Sequence, residues 1–152
     1  MSVFSTASDG SGQAQRLIRG PPQRFTESWT PDGQTLVFNE LSPETGDDIW
    51  LLSAAGDTTP FLQTSSNEKG AEISPNGRWM AYQSDESGRP QIYICPFPQA
   101  EPKRQVSIEG GTDPLWKPNG RELFYRDGYK IMSVETETEG TLALAQPQLL
   151  FE

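Results

Sequence analysis

Carboxylates are the only abundant side chains in this sequence that could perform acid–base or metal chemistry. The chain of 152 residues has 21 acidic residues, no histidine and a single cysteine, Cys95. Ser-His-Asp and Cys-His catalysis therefore lack their base, and a zinc site lacks its usual ligands. The Gly-x-Ser-x-Gly turn of serine hydrolases, phosphate-binding loops and kinase signatures are also absent. The sequence predicts no catalytic residue and no cofactor.

Six of the acidic side chains lie in three segments that the sequence predicts to be loops. These are Glu44, Asp47 and Asp48; Asp85 and Glu86; and Asp127. Calcium binds through oxygen ligands, so a calcium site in these loops is one interpretation. The Asp-x-Asp-x-Asp-Gly spacing of a dedicated calcium loop is absent, however, and acids are common in turns. We expect these residues to serve mainly turn geometry and solubility.

A Pro-[Asp/Asn]-Gly turn recurs three times and positions these loops. The prolines, Pro31, Pro75 and Pro118, lie 44 and 43 residues apart. In each copy a large apolar residue lies two positions before the proline, and a short apolar strand follows the turn. A period of about 40 to 50 residues is typical of a propeller blade.

The repeat predicts an all-β fold, a partial β-propeller of about three four-stranded antiparallel blades plus an N-terminal half-blade. The expected bounds are 1–26 for the half-blade and 27–69, 70–112 and 113–152 for the blades. The strands expected in the first blade are 27–30, 35–39, 49–52 and one from residue 60. Those in the second are 71–74, 79–83, 91–95 and 104–108. The third should contain 115–117, 122–126, 130–134 and one strand within 141–151.

The second strand of each repeat is apolar on both faces. Val37, Ala81 and Phe124 share one face, while the residues on either side of each occupy the other. Such strands need cover on both sides. Stacked blades provide that cover. The alternative architecture, a sandwich or partial barrel, leaves one face of each sheet exposed to solvent.

The second copy of the repeat resembles the TolB-type, WD-like β-propeller repeat. The matching residues are Ile73–Arg78, Ala81-Tyr82, Ser84-Asp85, Gly88 and Ile92-Tyr93. The first copy departs at Thr30 and the third has Lys117 in place of the serine. The C-terminal segment, 130–152, resembles the late blades of propellers that follow bacterial Ser/Thr kinase domains. The resemblance implies a bacterial, non-catalytic scaffold that binds a protein or peptide.

Loops between second and third strands should share one rim of such a propeller with the loops that join blades. This expectation gives the candidate partner-binding residues Asp47, Asp48, Glu86, Arg89, Asp113 and Asp127. The alternative is a propeller enzyme, a carbohydrate lyase or hydrolase that uses rim carboxylates and a divalent cation. The absence of histidine argues against the lyase version.

The tryptophans fall into two groups. Trp29 and Trp116, with Ile73, occupy equivalent positions on innermost strands, where burial between blades is expected. Trp79 has Thr35 and Glu122 as its equivalents, so its position tolerates water. Trp79 is therefore the aromatic candidate for partner contact.

Charge and composition restrict the partners. The net charge is −9 and the basic residues are dispersed, which argues against nucleic-acid binding. No apolar run approaches the roughly 18 residues of a membrane-spanning helix, so no membrane insertion is expected.

An open arc of blades leaves two apolar flanks, which predicts self-association, for example as a two-fold dimer. The N-terminal residues lack a secretory signal, which predicts a cytoplasmic location for the chain as given and a periplasmic one if it belongs to a longer parent.

Overall fold

The fold is all-β, in a computed structural model that describes residues 3–7, 9–18, 20 and 22–152. A two-stranded antiparallel sheet, the half-blade, contains β1 (Val3–Ser5) and β2 (Gln15–Ile18). Blade one contains β3 (Gln23–Trp29), β4 (Thr35–Ser42), β5 (Gly46–Ser53) and β6 (Thr58–Leu62). Blade two contains β7 (Glu68–Ile73), β8 (Trp79–Ser84), β9 (Gln91–Pro96) and β10 (Arg104–Gln105). Blade three contains β11 (Thr112–Trp116), β12 (Glu122–Asp127), β13 (Lys130–Glu137), β14 (Ala143–Leu144) and β15 (Gln148–Phe151).

Blades one and two are four-stranded antiparallel meanders in chain order, as the repeat predicts. Blade three differs at its outer edge, where β14 and β15 both pair with β13 in place of the single strand expected. The innermost strands begin earlier than expected: β3 starts at Gln23, four residues before the expected blade boundary. None of the described residues forms a helix long and apolar enough to cross a membrane.

The three proline turns share one hydrogen-bonding pattern. In the second, the Gly77 amide donates to the Ser74 carbonyl at 2.8 Å, and the Ser74 amide donates to the Trp79 carbonyl at 2.8 Å. Gly77 has φ 73°, a conformation that favours glycine. The Ser74 hydroxyl also accepts from the Trp79 amide at 3.0 Å. Thr30 makes the same bond in the first turn, which explains why a hydroxyl residue precedes the proline in these two copies.

Blade two packs against a neighbour on each of its faces, as the apolar residues on both sides of its second strand predict. In junction one, between blades one and two, Val37, Ile49 and Leu62 pack against Met80 and Tyr82. In junction two, between blades two and three, the opposite face of blade two packs against blade three. Its buried residues are Ala81, Ile92, Ile94, Val106, Trp116, Leu123, Tyr125, Val134 and Leu142. The half-blade covers Leu36, Phe38 and Leu52 of blade one.

The expectation that both inner-strand tryptophans are buried is wrong for Trp29. Trp116 is 5% exposed and its indole Nε1 donates to the Glu72 carbonyl across junction two at 3.1 Å. Trp29 is 47% exposed. The physical reason is that β1 and β2, the strands that the described residues before β3 form, do not cover Trp29.

These two tryptophans give a matched test of the packing. Trp116→Ala should lower the free energy of unfolding by about 3 to 5 kcal/mol, because it leaves a large cavity between blades. Trp29→Ala should lower it by less than about 1 kcal/mol, since that ring is half exposed. Urea denaturation followed by circular dichroism measures both. Equal losses would contradict the described difference in burial.

Candidate functional site at the loop rim

The loops that connect second to third strands and successive blades form one end of the arc, which we call the loop rim. Between blades one and two it contains a concavity of about 240 Å³. The lining residues are Asp47, Asn67, Lys69, Gln83, Asp85 and Pro90. The structure thus brings together acids from the equivalent loops of two blades.

Asn67 links the two acidic loops. Its side-chain Nδ2 donates to Asp85 Oδ2 at 2.7 Å, and its backbone amide donates to Asp85 Oδ1 at 2.8 Å. Its Oδ1 accepts from the Asp47 amide at 3.2 Å. The bonds from Asn67 to the charged form lower the pKa of Asp85. Asp85 is therefore a fixed, ionised acceptor on the rim.

Gly46 permits this link. A Cβ at Gly46 would lie 2.5 Å from Asn67 Oδ1, and Gly46 has φ 94°. Sequence reasoning identified neither residue as functional. The bridge joins residues from separate blades, so no local pattern marks it; the only local signal is an asparagine at the end of a blade-joining loop.

The concavity contains one cation, Lys69, and a titrating acid, Glu27, lies near it. Lys69 Nζ pairs with Asp47 Oδ2 at 3.1 Å. Glu27 on β3 lies next to them and accepts from the Gly70 amide at 3.2 Å. Burial raises the pKa of Glu27 to about 7, and the charges of Asp47 and Glu72 act in the same direction. Glu27 is consequently able to accept or donate a hydrogen bond near neutral pH.

The remaining predicted rim residues lie around this concavity. Arg89 Nη2 donates to the Ile108 carbonyl at 3.1 Å, and Glu86 forms an ion pair with Lys103. Asp113 lies on β11 with φ 53°, and its carboxylate is 3.5 Å from Arg126 Nη1. Asp127 ends β12, half-buried, with its Oδ1 3.1 Å from the Cβ position of Gly110. Arg89, Glu86 and Asp113 are tied into local pairs, which leaves the Asp47–Asp85 concavity as the best-formed recognition feature.

Asp48 does not belong to the exposed rim. It was expected in a loop from Leu41 to Asp48, but β4 and β5 extend into that segment and Asp48 pairs with Glu40 across the hairpin. Its exposure is 0%. Because the carboxylate is buried in the sheet, it cannot contact a partner at the rim surface.

Trp79 lies at the opposite end of blade two from these acids. It follows the Pro75 turn, is partly buried and packs against the core of junction two. Its indole Nε1 donates to the Thr138 carbonyl at 2.9 Å. The ring therefore joins blade two to blade three, and its role in partner contact stays a prediction.

The described residues provide little for covalent or metal chemistry at this rim. Cys95 is buried in β9, and burial raises the pKa of its thiol to about 12, so the nucleophilic thiolate is scarce at neutral pH. Nowhere in the described ranges do three or more carboxylate or thiol groups come together as a metal site. The arrangement is suited to hydrogen bonding and charge recognition.

The chain matches a known family over most of its length. The model of the family described as "TolB beta propeller domain" matches residues 9–149, and the chain belongs to that family. It is similar to a putative TolB from Agrobacterium tumefaciens, with a TM-score of 0.74 and 17% identity over 97% of this chain and 57% of that one. An uncharacterized protein of Agrobacterium fabrum is 22% identical over 76% of this chain and 40% of its own length. An uncharacterized peptidase of Bacillus subtilis is 26% identical over 62% of this chain and 16% of its own length. The chain thus spans less than half of these two relatives.

Glu27 gives a testable pH dependence. Its pKa in the folded state, about 7, exceeds the ordinary value of 4.5, so the folded protein binds the proton more tightly than the unfolded chain. The stability contributed by that proton is present below pH 4.5 and lost as the pH rises through about 7. Glu27→Gln should remove this loss of stability with rising pH. It should raise the free energy of unfolding at pH 8 by about 1 to 3 kcal/mol.

The matched control is Glu135→Gln, which neutralises an exposed acid on β13. Urea titrations from pH 5 to 8 give the free energy of unfolding at each pH. Its dependence on pH should be the same in Glu135→Gln as in the wild type, and weaker in Glu27→Gln. Parallel profiles for the wild type and Glu27→Gln would disprove the assignment.

Proposed function

We propose that this TolB-type propeller segment is a non-catalytic module that binds a basic segment of a protein or peptide at the loop rim. The observation that supports this most is the concavity between blades one and two, where Asp47 and Asp85 are held in place by Asn67. Partly exposed acceptors that are already fixed in place recognise a cationic group without a large ordering cost. The net charge of −9 favours approach of a basic partner.

The size of the concavity indicates what part of a partner it accepts. Sites for drug-sized ligands and cofactors have volumes of about 300 to 1,000 Å³, and this concavity has about 240 Å³. It is better suited to one long side chain of a peptide. The lining offers carboxylate and amide oxygens, which match the donors of arginine or lysine.

The competing hypothesis is a propeller enzyme, a carbohydrate lyase or hydrolase, that uses rim carboxylates and a divalent cation. Lys69 forms an ion pair with Asp47. Hydrogen bonds from Asn67 lower the pKa of Asp85, so Asp85 is not arranged as a general acid. One relative is a peptidase by name, but the matched segment covers only 16% of it. The binding module is therefore the function that the rim supports best.

Binding can be tested with short peptides that carry arginine, lysine or the neutral analogue citrulline at one central position. The arginine peptide should bind at least about tenfold more tightly than the citrulline peptide, with affinity that falls as salt increases. Asp47→Asn combined with Asp85→Asn should remove this preference. Isothermal titration calorimetry measures each affinity.

The control variant combines Asp57→Asn with Glu135→Gln, which removes the same charge from two exposed positions away from the concavity. It should keep the arginine preference. If both double variants lose it equally, binding reflects overall charge, and the site assignment fails.

We also propose that the chain self-associates through its apolar flanks. Phe25 and Trp29 are 49% and 47% exposed on the first flank, and Leu115 and Phe151 are 57% and 58% exposed on the last. The position of Trp29 corresponds to that of Ile73, which the adjacent blade covers. Contact between copies would cover the exposed flank side chains by the same packing.

Light scattering across a dilution series tests self-association. We expect at least a dimer at micromolar concentration, and Leu115→Gln combined with Phe151→Gln should shift the mass towards one chain. A wild type that stays monomeric at high concentration would rule out this proposal.

A further inference from the structure

A second concavity, which we call the turn pocket, opens between blades one and two at the end that carries the proline turns. Its volume is about 410 Å³, which lies within the range of about 300 to 1,000 Å³ typical of ligand sites. Its apolar wall includes Leu51, Phe97 and Pro98, and its polar lining includes Asp32 and Asn76 from two successive turns. The turn pocket is therefore large enough for an aromatic ring system.

The same place in junction two is filled by Trp79. Thr35 and Trp79 are equivalent residues, because the carbonyl of each accepts the amide of the residue before the proline of its own turn. Trp79 packs against the core of junction two, and its indole Nε1 donates to the Thr138 carbonyl at 2.9 Å. Thr35 is much smaller, so junction one lacks the ring that occupies this place in junction two.

The third strands of the two blades show that apolar surface is left uncovered in junction one. Leu51 pairs with Val37, and its equivalent Ile94 pairs with Ala81, so each of the two faces the following blade. Ile94 is 0% exposed, whereas Leu51 is only partly buried and lines the turn pocket. Surface that is covered in junction two is thus open in junction one.

Junction two is also closed by a contact between Asn76 and Thr138. Asn76 Nδ2 donates to the Thr138 carbonyl at 3.0 Å, and a Cβ at Gly120 would lie 3.2 Å from Thr138 Oγ1. At the equivalent glycine of junction one, Gly77, only Pro31 lies within 4 Å of the Cβ position in the described part of the chain. The two turns therefore meet in both junctions, but only junction two has a segment that fills the space beside them.

Asp32 is the equivalent of Asn76 in the first turn and cannot close junction one in the same way, because an ionised carboxylate only accepts hydrogen bonds. Its Oδ1 accepts from Thr30 Oγ1 at 2.6 Å and from the Gln34 amide at 3.0 Å. These bonds, first that from Thr30, lower the pKa of Asp32. Among the described residues none donates to Oδ2. The turn pocket thus combines an apolar wall with an ionised acceptor that has one oxygen available.

We propose that the turn pocket binds a tryptophan side chain of a protein or peptide partner, in the place that Trp79 fills in junction two. The indole ring packs against Leu51 and Phe97, and its N–H donates to Asp32. Phenylalanine would fill the space without a donor for this acceptor, whereas tryptophan supplies both the apolar ring and the donor. Tryptophan is also among the residues that most often anchor a partner in a pocket. The site is separate from the loop rim and does not depend on recognition of a cation there.

The test uses uncharged peptides that carry one central residue: tryptophan, tryptophan methylated at the ring nitrogen, or phenylalanine. The tryptophan peptide should bind at least about threefold more tightly than either of the others, because only its ring donates a hydrogen bond. Isothermal titration calorimetry measures each affinity. Equal affinities for the tryptophan peptide and its ring-methylated form would overturn the assignment.

The variant Thr35→Trp places in junction one the side chain that fills junction two. It should weaken binding of the tryptophan peptide at least about tenfold, because its own indole occupies the turn pocket. The control, Thr141→Trp, makes the same substitution at an exposed position in blade three and should keep wild-type affinity. Unchanged binding by Thr35→Trp, or equal losses in the two variants, would contradict the proposal.

Chemical-shift mapping on the isotope-labelled wild type keeps the proposal testable if Thr35→Trp does not fold. The tryptophan peptide should shift the backbone amides of Thr35, Leu51, Gly77 and Phe97 in a saturable way. Shifts confined to the loop rim or to the flanks would overturn the site. An arginine peptide should leave these four amides unchanged; if it shifts them instead, the pocket recognises a cation and the assignment to tryptophan is wrong.

Discussion

The fold depends on one packing constraint: each blade has two apolar faces and cannot bury either of them alone. Met80 and Tyr82 face blade one, while Ala81 between them faces blade three. A single antiparallel sheet with two apolar faces is unstable in water, so each blade requires a neighbour on both sides. Hydrogen bonds within a blade set its shape, but contacts between blades provide most of the apolar burial. Trp29, at one flank, is half exposed because the described strands of the half-blade do not cover it.

The stacking constraint also decides which acids are available for function. Loops leave the stacked faces at the rim, so Asp47 and Asp85 stay accessible and converge on Asn67. Asp47 and Asp48 both lie on β5, but they alternate between its two faces, and only Asp48 is fully buried. Adjacent acids in one sequence motif therefore have different environments.

Features set by short-range chemistry could be predicted from the sequence. The spacing of the proline turns predicted the blades, and the apolar residues on both sides of β8 predicted the two covered faces of blade two. Features set by contacts between blades could not be predicted in the same way. The exposure of Trp29 depends on how much of blade one the described half-blade covers, and the burial of Asp48 depends on how far β4 and β5 extend. The Asn67 bridge joins two blades, so it has no local pattern.

The central claim is that blades are stabilised by one another across their junctions. Native-state hydrogen exchange on Leu123→Ala tests it directly, because Leu123 is fully buried on the face of blade three that packs against blade two. If junctions stabilise the blades, amide exchange should accelerate in β8 and β9 of blade two as well as in β12 and β13, with a smaller change in β4 and β5. Acceleration confined to blade three would contradict the account.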